Sequence, residues 1–141
     1  MIYYATIDTN ILVSYFFDKE SNPGEIINLV LNDTIIPFMH DKIKNEYYDV
    51  LFRNKFPFDS NDVLALLKQF EEKAIRLDPT PTDEHFKDLD DVIFYEITLT
   101  GRSMYDAYLV TGNDRDFPKK HFVVRPREML EIIKKDKDSN L

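Results

Sequence analysis

The chain of 141 residues has no cysteine. That excludes disulfides and cysteine-based zinc or redox sites, and it fits a reducing cytoplasm. Glycine is scarce, and no Walker-type glycine loop, GxGxxG fingerprint or G-x-S-x-G elbow occurs. No apolar run approaches a membrane span. The first residues lack the charged n-region and long apolar h-region of a signal peptide. The expectation is a cytoplasmic protein without a membrane partner. His40, His85 and His121 are scattered without metal-ligand spacing. Repeats, low-complexity segments and interdomain linkers are also missing.

Positive charge is in short supply as well. The net charge of −8 repels polyanions at long range. A nucleic-acid partner would need local Lys/Arg clusters or bound cations. Two basic groups exist: Lys42, Lys44, Arg53 and Lys55, then Lys119, Lys120, Arg125 and Arg127. Such groups are usually solvated faces, but near an acidic site they could hold phosphates.

What remains is an ordinary globular chain of single-domain length, able to bury a core. Residues 1–134 read as one domain and 135–141 as a charged, frayed tail. The run Ile2-Tyr-Tyr-Ala-Thr-Ile reads as a strand that stops at Asp8, with a short apolar helix over 10–17. Helices are expected from Pro23, with Asn22 as cap, and over 41–54. A third runs from about Ser60 to Ala74 with Val63, Leu64, Leu67 and Phe70 inward. Another runs over 88–100 with Leu89, Ile93 and Ile97 on one face and Gly101 as its stop. A last one starts at Pro126. Strands are expected over 34–39, 75–78, 107–111 and 122–124. Alternating strands and helices imply an α/β/α domain around a mainly parallel sheet.

The chemistry lies in the acids. Asp8 ends the first strand, where ligands bind in open α/β sheets. Glu46 lies on the helix after the second strand. Asp88, Asp90 and Asp91 open the helix before the fourth strand, and Asn113, Asp114 and Asp116 follow that strand. Each has a plain structural account. Asp8 can cap a helix, and Glu46 can be a solvated helical residue. The Asp88 group complements a helix dipole, and Gly112-Asn-Asp can be a mere turn. Yet Asp88 and Asp91 repel at i,i+3 spacing, and a divalent cation would relieve that. Carboxylates with water are the usual ligands of Mg²⁺ or Mn²⁺. Several acids at one sheet edge suit phosphodiester hydrolysis, in which metals activate water.

Four segments together carry a family resemblance. Ile7-Asp-Thr-Asn-Ile-Leu-Val13 resembles the opening motif of PIN-domain ribonucleases. Glu46-Tyr-Tyr-Asp-Val-Leu-Phe-Arg-Asn-Lys-Phe56 resembles their second motif. Asp88-Leu-Asp-Asp-Val-Ile-Phe-Tyr-Glu96 resembles the third, and Tyr108-Leu-Val-Thr-Gly-Asn-Asp-Arg-Asp-Phe117 the fourth. They occur in family order and span nearly the whole chain. The branch they resemble is the toxins of bacterial toxin–antitoxin systems. One departure is Ala107, where the family often has Asp, with Asp106 one position earlier. Glu96 stands where shorter toxins tend to carry a small residue, which favours the assignment to this particular branch.

The resemblance implies a five-stranded PIN-like fold. It implies a Mg²⁺- or Mn²⁺-dependent endoribonuclease acting on single-stranded RNA, with a cognate antitoxin and a homodimer as further partners. It places Asp8, Glu46, Asp91 and Asp116 at the metal and catalytic centre. Thr9, Asn10, Asp88, Asp90, Thr111 and Asn113 support it, and Asp114 is an added acid that competes with Asp116 for the fourth place. The alternatives are a non-catalytic PIN-like module that binds RNA or protein, and a metal-dependent phosphatase or DNA nuclease.

Overall fold

Near-continuous apolar runs make the middle strands, because a parallel sheet is covered on both faces. The structure, a computed structural model, describes residues 1–139. In chain order the elements are β1 (Tyr3–Ile7), α1 (Thr9–Phe17), α2 (Asn22–Leu31), β2 (Ile35–Met39), α3 (Asp41–Leu51) and α4 (Ser60–Lys73). There follow β3 (Ile75–Arg76), a 3₁₀ turn (Leu89–Asp91), α5 (Val92–Arg102), β4 (Tyr108–Val110), a second 3₁₀ turn (Asp114–Asp116), β5 (Val123–Val124) and α6 (Pro126–Ser139). The five strands form one sheet in the order β3-β2-β1-β4-β5, and every pairing is parallel. Helices cover both sides, as an α/β/α domain requires. The edge strands β3 and β5 are two residues each, short enough to leave little edge unpaired. Among the described residues no helix is long and apolar enough to cross a membrane.

This topology fixes where the acids can lie. Helices α1 and α3 follow β1 and β2, so their N-termini start at the carboxyl ends of the strands. Helix α5 runs back against the sheet to feed β4, so its N-terminus lies at that same end. Asp8, the Asp88–Asp91 segment and the loop after β4 therefore share one edge.

Several local expectations need correction. Ser21, not Asn22, caps α2, accepting from the Gly24 N–H at 3.1 Å. In α4 the inward residue is Leu66, while Leu64 is 45 % exposed. Leu89 is 80 % exposed, because a 3₁₀ turn precedes α5 and takes it off the helical stripe. Gly101 does not stop α5. It lies within the helix against β2, where an added Cβ would fall 2.3 Å from the Phe38 ring. The segment 82–87, whose acidic and polar sequence suggests one helical turn, has none. Helix α6 continues through Ser139, so the expected frayed tail is helical as far as the described residues go; Asn140 and Leu141 lie outside them. Pro37 stands inside β2, and β3 joins β2 only beyond it, at Phe38 and Met39.

Candidate active site

Asp8 does two jobs at once. It is the N-cap of α1, with its Oδ1 accepting from the Thr9 N–H at 2.8 Å. Its Oδ2 accepts from Thr111 Oγ1 at 2.7 Å and from Asn10 Nδ2 at 3.1 Å. The side chain is only 7 % exposed. Capping and facing a site are thus compatible, because a carboxylate has room for several donors. Asn10 also accepts from the Gly112 N–H at 3.0 Å, and Thr111 Oγ1 accepts from the Asn113 N–H at 3.0 Å. This lattice ties the end of β1 to the end of β4. Buried Thr9 has no hydrogen-bond partner for its hydroxyl among the described residues.

Two further ties were not foreseen. Tyr47, read from sequence as core, is fully buried and donates its hydroxyl to the Ile7 carbonyl at 2.5 Å. That sets α3, and Glu46 with it, against the last residue of β1. The second tie is Thr6 to Thr98, whose buried hydroxyls lie 2.7 Å apart and join β1 to α5. No sequence pattern flags either partner, since both depend on residues at least forty positions apart in the chain.

The acids sense one another. Burial raises the Asp8 carboxyl above its usual range and nearby Asp116 adds to that, while Thr111, Thr9 and Asn10 pull it back. Asp91 is pushed up to about 7, first by burial and then by the charges of Asp8, Asp88, Asp116 and Glu46. Glu46 is raised by burial and then by Asp90, Asp49 and Asp88, with Arg53 opposing. So Asp8, Asp91 and Asp116 form the inner group. Glu46 stands at its rim and feels Asp90 before any inner acid. Asp88 caps the 3₁₀ turn, accepting from the Asp90 N–H at 2.9 Å. Asp114 is held by Arg125 at 3.4 Å, whereas Asp116 on the same turn is the one coupled to Asp8 and Asp91. At the Ala107 departure, Asp106 pairs with Arg102 at 3.5 Å, away from these acids. Glu96 takes a local role, accepting from the Thr82 N–H at 2.8 Å.

The chain matches the family model described as PIN domain over residues 4–115. It belongs to the PIN-domain family. PIN domains are generally nucleases, and they typically use divalent metals. The matched stretch holds Asp8, Glu46 and Asp91 and ends one residue before Asp116. The chain is also similar to an uncharacterized protein of Methanocaldococcus jannaschii, 24 % identical over 118 residues, covering 79 % of this chain and 71 % of that one. No solved structure matches.

Does this PIN domain suit a metal? Among the described residues no three acidic or histidine side chains stand close enough to grip one ion together. The donors are nonetheless all carboxylate oxygens, and burial first and their crowding second raise Asp91. Mg²⁺ keeps several waters and is usually held by only one or two carboxylates. The inner acids therefore fit a hydrated hard cation and not a dehydrated cage.

Proposed function

We propose that this PIN domain is a Mg²⁺- or Mn²⁺-dependent endoribonuclease acting on single-stranded RNA. The observation that carries the reading is the gathering of acids at one sheet edge, from the end of β1, the start of α5 and the turn after β4, where burial first and the charges of Asp8, Asp88, Asp116 and Glu46 next raise Asp91 to about 7. Asp8, Asp91 and Asp116 would hold the ion. When bound, it would supply a water of lowered pKa and offset charge developing on the phosphate. Asn10 and Thr111 keep the Asp8 carboxylate in one orientation. The Asp91 carboxyl, raised to about 7, would release its proton to solvent on taking up a cation. Glu46, at the rim, orients a water. The reading extends to a toxin restrained by an antitoxin and to a homodimer. Surface aromatic side chains suit such interfaces, and Phe17 and Phe52 are exposed.

A non-catalytic binding module is the second reading, favoured by the absence of a three-acid cluster among the described residues. The test is cleavage of an unstructured RNA by purified protein with Mn²⁺, beside Asp8→Asn. The variant keeps the size and capping ability of the residue and should lose at least about tenfold in rate, or about 1.4 kcal/mol of transition-state stabilisation. Equal cleavage by both proteins would point to a contaminating nuclease. Stabilisation by Mn²⁺ without cleavage of RNA would put the binding module ahead, and cleavage of DNA or of phosphomonoesters alone would change the substrate class. Inspection of the neighbouring open reading frame tests the antitoxin. A lone gene whose overexpression leaves growth unchanged would remove the toxin role.

A further inference from the structure

A cavity of about 490 Å³ opens beside the acid centre, between α1, α2, the loop after β4 and the start of α6. Asn10, Gly112 and Asn113 line it, so it shares a wall with the lattice that holds Asp8. Arg125 and Arg127 line it as well, and among the described residues no carboxylate does. In a chain of net charge −8 that is an unusual local balance. Asn22, at the start of α2, adds an amide, and the N-termini of α2 and α6 add partial positive charge. The volume lies in the range that holds a small ligand or one nucleotide unit.

The arginines are held loosely. Arg127 pairs with Glu131 at 3.2 Å and Arg125 with Asp114 at 3.4 Å, both on exposed side chains, where such pairs are weak and exchangeable. The Asp114 contact matters in another way. It fastens Arg125 to the short turn that also bears Asp116. A guanidinium presents a planar fork that suits phosphate oxygens.

We propose that this basic cavity, built on Arg125 and Arg127 beside Asn10 and Asn113, binds a backbone phosphate of single-stranded RNA adjacent to the one positioned at the acid centre. The assignment rests on the endoribonuclease reading and adds to it the side on which the strand is held. Of the second basic group seen in the sequence, it selects the two arginines. Lys119 and Lys120 line a different cavity, alongside Asp114 and Arg115.

The test measures binding of a short unstructured oligoribonucleotide by fluorescence anisotropy. The protein is the Asp8→Asn form in EDTA, so that slowed cleavage and the absence of metal keep the RNA intact during the measurement, with and without Arg125→Gln and Arg127→Gln. The double substitution should weaken binding about tenfold and make the salt dependence shallower by about 0.7, the slope of one phosphate contact on a single strand. Arg125→Lys with Arg127→Lys keeps the charges and should recover most of the affinity. Lys134→Gln with Lys135→Gln, on the exposed far part of α6, removes the same charge and should do much less. Thermal melts followed by circular dichroism check that each variant folds. If the far pair weakens binding as much as the arginine pair, or if the arginine pair leaves affinity and salt slope unchanged, the cavity has no role. Wild-type cleavage, measured in parallel, separates the two readings. Cleavage with no arginine effect removes the subsite and keeps the nuclease; an arginine effect without cleavage keeps the subsite and removes the nuclease. Inorganic phosphate as competitor should displace the RNA only at much higher concentration, and equal potency would make the site one for a free anion.

Discussion

Two cavities flank the acid centre, and they carry opposite charge. The larger, about 690 Å³, includes Glu46, Asp49, Asp90 and Glu96 against one cation, Lys42. The smaller contains Arg125 and Arg127 and, among the described residues, no carboxylate. Each takes part of its wall from the centre, the first through Glu46 and Asp90, the second through Asn10 and Asn113. Asp8, Asp91 and Asp116 line neither. A polyanion meeting this edge finds repulsion on one flank and attraction on the other, both screened by salt. A protein with an unfavourable global charge can thus give a strand a preferred side.

The largest effect expected from testing this contrast is on the acid flank. Helix α5 carries that flank, and Gly101 lets it approach Phe38 of β2. The ring is fully buried and has no room to move. Gly101→Ala should cost about 1–3 kcal/mol by overpacking, read as a lower denaturant midpoint. Cleavage should fall, because the start of α5 moves relative to β1, while RNA binding through the arginines should hold. An unchanged midpoint would mean that α5 does not sit as close to β2 as described.

Of similar size is Thr111→Val, at the wall between the flanks. The substitution is nearly isosteric and removes the donor to Asp8 Oδ2 and the acceptor for the Asn113 N–H. A hydrogen bond to a buried carboxylate contributes about 1.5–3 kcal/mol. The Thr111 contact lowers the Asp8 pKa, so its loss raises it further. The cost should therefore be larger at high pH, where Asp8 is charged, than at low pH, where it holds its proton. Equal melting shifts at both pH values would show that the hydroxyl acts only through packing.

Much of this arrangement was legible in the sequence. Strand ends bearing acids, and a helix opened by acids, need only periodicity and turn chemistry; the choice of Asp8, Asp91 and Asp116 among the acids came from the family resemblance. What stayed hidden depends on the third dimension. Gly101 reads as a helix stop until Phe38 is seen packed against it. Leu64 and Leu66 are equally apolar, and only the packing of α4 decides which turns inward. Asp114 and Asp116 look alike in sequence, and the 3₁₀ turn points one at Arg125 and leaves the other coupled to Asp8. The basic cavity was visible only as scattered Lys and Arg, because its walls come from four separated segments.

A third prediction concerns pH. Asp91 rises from 3.8 to about 7 in the folded protein, and Asp8 and Glu46 are also raised. Between about pH 4 and about 7 the unfolded chain has released the Asp91 proton while the folded chain still holds it. Metal-free stability should therefore fall as pH rises through that window and level off above it. This is opposite to the behaviour of carboxylates paired with cations. Melting temperatures in EDTA should decline between pH 5 and 8, less steeply for Asp91→Asn, and that variant should be the more stable at pH 8. Mn²⁺ added at pH 8 should raise the wild-type melting temperature more than the variant's, since an ion that binds only the folded state stabilises it. Identical slopes for the two proteins would remove Asp91 from the coupled group.

The smallest effect is the sharpest test of the contrast between flanks. Asp49 is an exposed residue of α3 that lines the acidic cavity, pairs with Arg53 at 3.1 Å and helps raise Glu46. Asp49→Asn removes one repelling charge and frees one cation, with no core contact altered. If the acidic flank repels RNA only by screened, long-range charge, affinity should rise about twofold, or about 0.4 kcal/mol. The gain should vanish at high salt. Glu46 should titrate closer to its ordinary value, because one of the charges raising it is gone. Removal of the two arginines should cost several times more than this gain, because they would touch the phosphate and Asp49 does not. Should Asp49→Asn improve binding by as much as the arginine substitutions weaken it, the two cavities would differ only in bulk charge, and neither flank would hold the strand.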